Sequence, residues 1–224
     1  MFAADALKSI RGHRTLPHAA KTEVVFWEVD TQADFMLPGG KLYVPGAEKH
    51  VANMKRLVDA ARDGKVFLIS SADQHSPNDQ EFARFPPHCV RGTNGAEILA
   101  ELKAPKILSI PNDGNFQIPA RLDDIQQVVF EKQTLDVFDN PNTEKLLARF
   151  PVTNEFVVFG VVTEFCVRLA VGGLLDRGRR VAVVSDAIET LDAKESRKTL
   201  DELTSRGARL MTANEALDLV NRPH

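Results

Sequence analysis

Cys166 lies in the segment GVVTEFCVR, directly after the apolar run 155–162 (EFVVFGVV) and at the start of a helical pattern. A strand running into a helix sets the thiol beside unpaired backbone N–H groups and the positive end of the helix dipole, which favour the thiolate. A cysteine standing alone there is more often a small buried hydrophobe. Cys166 does not stand alone, because Asp30 and Lys132 each follow another apolar strand pattern. A carboxylate at the end of a buried strand is partly desolvated, which moves its pKa toward a value useful for general acid/base work. An Asx turn or helix cap is the ordinary alternative for such a residue, and Asp34 nearby suits that structural role better. A lysine at the same edge can stabilise an ionised thiol and carboxylate, unless it is solvated or Glu131 neutralises it.

The loop 71–90 (SADQHSPNDQEFARFPPHCV) holds a second constellation. Asp73 and His75 are separated by one residue, and His88 follows thirteen later. In an extended segment the i, i+2 pair points both side chains the same way. One carboxylate and two imidazoles suit Zn, Mn or Fe, with positions left open for water or substrate. The competing reading is a pair of simply exposed loop histidines. Asp79 and Glu81 are alternative ligands, and Cys89 is less suited because it follows His88 directly. Two further motifs carry no chemistry. PGGK at 38–41 lacks the spaced first glycine and the Ser/Thr of a phosphate loop, and Gly172-Gly173 marks close helix–sheet packing.

These residues need a frame that gathers strand ends. Strand patterns run over 23–29, 66–70, 127–130, 155–162, 180–185 and 208–211, with 106–110 a short strand or edge piece. Helical spacing covers 46–62, 95–102, 143–150, 165–177, 193–206 and 213–220. Short Val, Ile and Phe runs without strict alternation mean strands covered on both faces. The expected fold is therefore a three-layer α/β/α sandwich on a mostly parallel, roughly six-stranded sheet, with the site beyond the carboxyl ends of the strands. The loop 71–94 is long for a compact domain and so reads as functional.

Composition bounds the function. The 224 residues suit one domain, here 22–224, and the formal charge of −3 carries no basic patch or acidic tail. Nothing argues for nucleic acid or a membrane surface as partner. The two cysteines are too few for a disulfide framework and fit a reducing, cytoplasmic setting. Residues 1–21 lack the apolar core of a secretory signal and read as a surface arm or short helix rather than a transit peptide.

Taken together, the motifs resemble the isochorismatase-like cysteine hydrolases, and within them the nicotinamidases. The resemblance rests on DTQADF (Asp30, Gln32, Asp34, Phe35), the following LPGGKLYVPGAE, the pair Asp73 and His75 with FPPHCV at 85–90, and GVVTEFCV. It implies a Rossmann-like topology, a catalytic triad of Asp30, Lys132 and Cys166, and a divalent ion, zinc first, on Asp73, His75 and His88. It also implies a cis peptide between Val161 and Val162, and an oxyanion hole from the N–H groups of Val162 and Cys166. Phe35, Phe85 and Phe165 are the implied pocket walls, with Phe85 and Phe165 standing where the family often carries Trp and Tyr. The implied reaction is cleavage of a small carboxamide, nicotinamide in NAD salvage (pyridine nucleotide biosynthesis), by an enzyme that self-associates as a homo-oligomer. One segment departs: QTLDVFDN at 133–140 replaces the family's usual Asp-Ser-Tyr-Ser stretch after the lysine, which bears on the substrate more than on the chemistry.

Overall fold

The computed structural model describes residues 23–221, so the arm expected at 1–21 lies outside the described residues. Seven strands form one sheet in the order β3-β4-β2-β1-β5-β6-β7, and every neighbouring pair is parallel. In chain order the elements are β1 (Val24–Val29), α1 (Ala33–Met36), α2 (Val51–Arg62), β2 (Phe67–Asp73), β3 (Ile107–Ile110) and β4 (Gln127–Lys132). They continue with α3 (Pro141–Leu147), β5 (Glu155–Gly160), α4 (Arg168–Asp176), β6 (Arg180–Ile188), α5 (Ala193–Ser205), β7 (Arg209–Met211) and α6 (Ala213–Asn221). The edge piece 106–110 is thus a full seventh strand, paired with β4 over four residues.

Successive strand side chains alternate between two buried layers. Val24 and Phe26 of β1 pack with Met54, Leu57 and Val58 of α2 on one face. Val25, Trp27 and Val29 pack with Val171 and Leu174 of α4 on the other. Burial on both faces is what the unbroken apolar runs require. β1 is the middle strand, with β2 on one side and β5 on the other. The chain winds outward from β1 to β4, then returns to β5, so a topological switch point lies between the carboxyl ends of β1 and β5. That is where an open α/β sheet leaves a crevice.

Two expected elements differ. The helix at 95–102 is instead two 3₁₀ turns, Asn94–Ala96 and Ala100–Leu102. The backbone between them bonds elsewhere, Ala33 N donating to Glu97 O (2.9 Å) and Leu99 N to Thr31 O (3.1 Å). The Gly172-Gly173 pair does permit close packing, but against Arg206 and the Phe138 ring rather than the sheet. No helix among the described residues is long and apolar enough to cross a membrane.

Candidate active site and metal centre

Three neighbouring strands end in the polar floor of the crevice. Asp30 follows β1 with φ 49°, a left-handed conformation that Asp tolerates better than most residues. Its Oδ1 accepts from Ser71 Oγ (2.7 Å), and its Oδ2 lies 2.9 Å from Lys132 Nζ. Asp73 closes β2 and pairs in register with Lys132, which is the last residue of β4 rather than two residues past it. The Lys132 ammonium meets Asp73 Oδ1, donates to Thr134 O (3.1 Å) and lies 3.6 Å from Cys166 Sγ. Lys132 is 1% exposed. Burial works against its charge, but Asp30, Asp73 and Cys166 together raise its pKa well above the ordinary lysine value. The two acids shift in opposite directions. Burial raises the Asp30 carboxyl, and Lys132 offsets this only in part. Burial would raise Asp73 as well, but Lys132 and the two imidazoles hold it well below the usual carboxylate range.

β5 ends at Gly160, the Val161–Val162 peptide is cis, and Thr163–Val167 form a π-helical turn that leads into α4. Val167 N donates to Val162 O (3.2 Å), which closes that turn, and Thr163 N is anchored on Glu189 O (2.9 Å). Such wide turns recur at functional sites. Cys166 is thereby carried back beneath the switch point, 7% exposed. Its charge state corrects the expectation drawn from the helix mouth. Burial pushes the thiol well above its ordinary value; Lys132 opposes this, while Asp30 and Asp73 reinforce it. Desolvation outweighs the helix dipole, so the resting group is a thiol.

Asp73 also faces the other way. Its Oδ2 is 3.6 Å from Nε2 of both His75 and His88, and ligand atoms of the three residues lie within 4.8 Å of one another. His88 Nδ1 lies 2.8 Å from Pro86 O, which fixes the proton there and leaves Nε2 with its lone pair free. His75 Nδ1 lies 3.2 Å from Asp79 Oδ2. Both His75 ring nitrogens are buried without a well-formed hydrogen bond, an unusual condition for buried polar atoms. A carboxylate oxygen and two imidazole nitrogens converging on one point fit a divalent ion.

Beside this centre and Cys166 lies a narrow pocket of about 50 Å³. Phe35, Phe85 and Phe165 line it, as expected, together with Leu42, Val44, Leu135, Val162 and Leu191. Glu81 also faces it, and burial raises the Glu81 carboxyl above its ordinary value. A wider groove of about 770 Å³ adjoins the pocket and shares Glu81 and Leu135 with it.

A parallel sheet with this floor has close counterparts among known proteins. The family model for the isochorismatase domain matches residues 25–109 and 114–215. The chain belongs to the isochorismatase family. It is 26% identical over 213 residues to the nicotinamidase of Escherichia coli (strain K12), covering 82% of this chain and 92% of that one. In fold it is similar to a pyrazinamidase of Pyrococcus horikoshii solved in complex with zinc (TM-score 0.70, 24% identity, 85% of this chain and 99% of that one). The N-carbamoylsarcosine amidase of Thermoplasma acidophilum shares the fold too (TM-score 0.67, 22% identity, 85% and 96%).

In this isochorismatase-family chain the residues singled out from sequence converge, and the alternatives separate from them. Asp34 is structural: it accepts from Lys41 N (3.0 Å) and Cys89 N (2.7 Å), and a side chain at Gly95 would strike its carboxylate. Glu131 pairs with Arg91 (2.8 Å) and leaves Lys132 to the site. Asp79 stands behind His75, and the Cys89 thiol turns toward Gly95 O (3.8 Å). Three contributors escaped sequence reading. Ser71 holds Asp30, Gln32 grips both the N–H and the carbonyl of Asp73 (3.0 and 2.6 Å), and Leu135 enters the pocket from the divergent segment. The polar pair Ser70-Ser71 inside an apolar strand was the available signal for the first.

Proposed function

We propose that this chain hydrolyses nicotinamide to nicotinate and ammonia through a thioester on Cys166. It is a hydrolase of amide C–N bonds, and the relatives it resembles include a nicotinamidase and an amidase. One observation carries the reading: Lys132 touches Asp30, Asp73 and Cys166 at once, so the nucleophile, the proton carrier and the metal centre share one cation.

Asp30, whose carboxyl is raised by burial, takes the proton of the Cys166 thiol as the sulfur attacks the carboxamide carbon. The N–H groups of Val162 and Cys166 receive the developing oxyanion, each such donor being worth roughly 3–4 kcal/mol in other enzymes. Asp30 then gives its proton to departing ammonia, and water cleaves the acyl-enzyme with Asp30 again accepting a proton. Lys132 keeps its charge throughout and balances the negative charge that moves between Asp30 and Cys166. Phe35, Phe85 and Phe165 wall a flat ring and exclude water. A divalent ion on Asp73, His75 and His88, zinc first and Mn or Fe next, supplies an anchor for a ring nitrogen. The reading places the enzyme in cytoplasmic pyridine nucleotide salvage and carries the family's self-association with it, which light scattering on the full chain tests.

Cys166→Ala is expected to abolish ammonia release from nicotinamide while the metal content stays unchanged. Ammonia release that survives this substitution removes the thioester scheme. A second reading keeps these residues and changes the substrate to another small carboxamide or ureide, and the observation in its favour is Leu135, placed in the pocket by the divergent segment 133–140. Ammonia release across a panel of amides and ureides separates the two.

A further inference from the structure

Beneath the floor lies a fully buried carboxyl that the reaction above does not use. Glu28 is two residues before Asp30 on the central strand and is 0% exposed. Its Oε2 accepts from Ser70 Oγ on β2 (2.6 Å) and from Gln127 Nε2 on β4 (2.8 Å). Its Oε1 accepts from Thr31 Oγ1 (2.6 Å). Three donors from two neighbouring strands and the turn after β1 thus converge on one acid. A buried carboxyl is retained at a cost unless its hydrogen bonds are made, and here they are made.

Thr31 is where this matters to the site. It follows Asp30, whose positive φ turns the chain out of β1, and it is itself fully buried. Its hydroxyl is held by Glu28 below, while its carbonyl receives Leu99 N from the facing segment (3.1 Å). The residue next to the proton carrier is therefore fixed on both sides. Asp30 must satisfy two partners in different directions, Ser71 through Oδ1 and Lys132 through Oδ2. A small rotation of the turn would lose one of them, and displacements of about 1 Å are enough to cost large factors in rate.

We propose that Glu28 is a positioning residue that acts through the Thr31 hydroxyl to hold the turn that aims Asp30 at Lys132 and Cys166. This rests on the reading of Asp30 as the proton carrier for Cys166, so the test reads the thiol directly. The rate at which iodoacetamide alkylates Cys166 is followed by peptide mass spectrometry in the wild type and in Asp30→Asn, Thr31→Val, Thr31→Ser and Glu28→Gln. Nicotinamide kcat and KM and the melting temperature are measured alongside.

Asp30→Asn is expected to slow alkylation at least tenfold. Thr31→Val keeps the shape of the side chain and removes the hydroxyl; it is expected to slow alkylation and lower kcat by fivefold or more, with KM within twofold. Thr31→Ser restores the hydroxyl and is expected to stay within twofold of wild type in both. Glu28→Gln is expected to behave like Thr31→Val. If Thr31→Val lowers only the melting temperature, with alkylation and kcat unchanged, Glu28 and Thr31 are structural and the proposal fails while the role of Asp30 stands. If Asp30→Asn leaves alkylation unchanged, the reading of Asp30 fails and takes the proposal with it.

Discussion

At the floor of the pocket Asp30, Asp73 and Lys132 end three neighbouring strands, each at most 2% exposed and each bonded to another member of the set. The rim is made of loop residues with apolar side chains, and Leu191 there is 51% exposed. Floor positions are determined by strand register, which is common to every element of the sheet. Rim positions depend on local turns that no long-range pairing enforces. Chemistry placed on the floor is therefore rigid, and selectivity placed on the rim can change without disturbing it.

The sharpest way to break this contrast is to remove the cation the floor shares. Lys132→Met leaves Asp30 and Asp73 buried without their counter-charge. Breaking a buried ion pair from one side costs about 3–5 kcal/mol. Turnover is expected to fall by about 10³-fold, equivalent to about 4 kcal/mol of barrier. Urea unfolding and ammonia release measure the two effects. A Lys132→Met protein with near-normal stability and turnover means that the floor is held by packing and not by charge.

The layer below the floor gives the next largest effect, and its sign is set by Glu28. Burial raises this carboxyl from 4.5 to about 7, against hydrogen bonds from Ser70, Thr31 and Gln127 that lower it. A folded chain that binds a proton more tightly than the unfolded one is favoured at low pH, so this contribution is fully present below about pH 4.5. It is lost as the pH rises through about 7, a change of about 3 kcal/mol across the window. The stability of the wild type relative to Glu28→Gln should fall by that amount between the two limits, as measured by urea unfolding at a series of pH values. A constant difference means that Glu28 keeps an ordinary carboxylate pKa.

Legibility from sequence follows the same division. Asp30, Lys132 and Cys166 could be read because strand patterns in a parallel sheet all end at one edge, whichever strands are neighbours. Asp73, His75 and His88 could be read because their residue types are uncommon together. The residues that hold them were hidden for a definite reason. Thr31, Ser71 and Gln32 act on partners about forty or more positions away or through register, and a hydroxyl within an apolar run does not announce its acceptor. The protonation of Cys166 was misread from sequence because the dipole is visible in a strand-to-helix pattern and the depth of burial is not. Segment 95–102 was misread because its amides pair with the turn after β1 rather than with one another.

Between floor and rim stands Asp79, which orients His75 from outside the pocket (3.2 Å). Asp79→Asn keeps the shape and removes the charge. Such outer partners are worth about 10–100-fold in metal affinity, and competition with a chelator of known affinity is expected to show a loss in that range for zinc. An unchanged affinity means that the loop backbone alone orients His75. The effect should be on metal occupancy, with turnover of the fully loaded enzyme within a few-fold of wild type.

The smallest effect is expected at Leu191, and it is the most direct test of the rim. Its backbone is part of the frame: Leu191 N donates to Glu164 Oε1 (2.9 Å), and Glu164 belongs to the same π-helical turn as Cys166. Its side chain is half in solvent and lines the pocket. Leu191→Ala keeps the backbone link and removes only the apolar wall. An exposed substitution of this kind changes stability by about 0.5 kcal/mol or less, whereas trimming an apolar pocket shifts substrate preference by about 1–3 kcal/mol at most. KM for nicotinamide is expected to rise by a few-fold and kcat to stay within twofold, with amides bulkier than nicotinamide gaining relative to it. A large fall in kcat with KM unchanged would instead mean that the Leu191 side chain holds the Glu164 turn, and with it Cys166, in place. Floor and rim would then be one mechanical unit, and substrate preference could not be altered at Leu191 without cost to the chemistry.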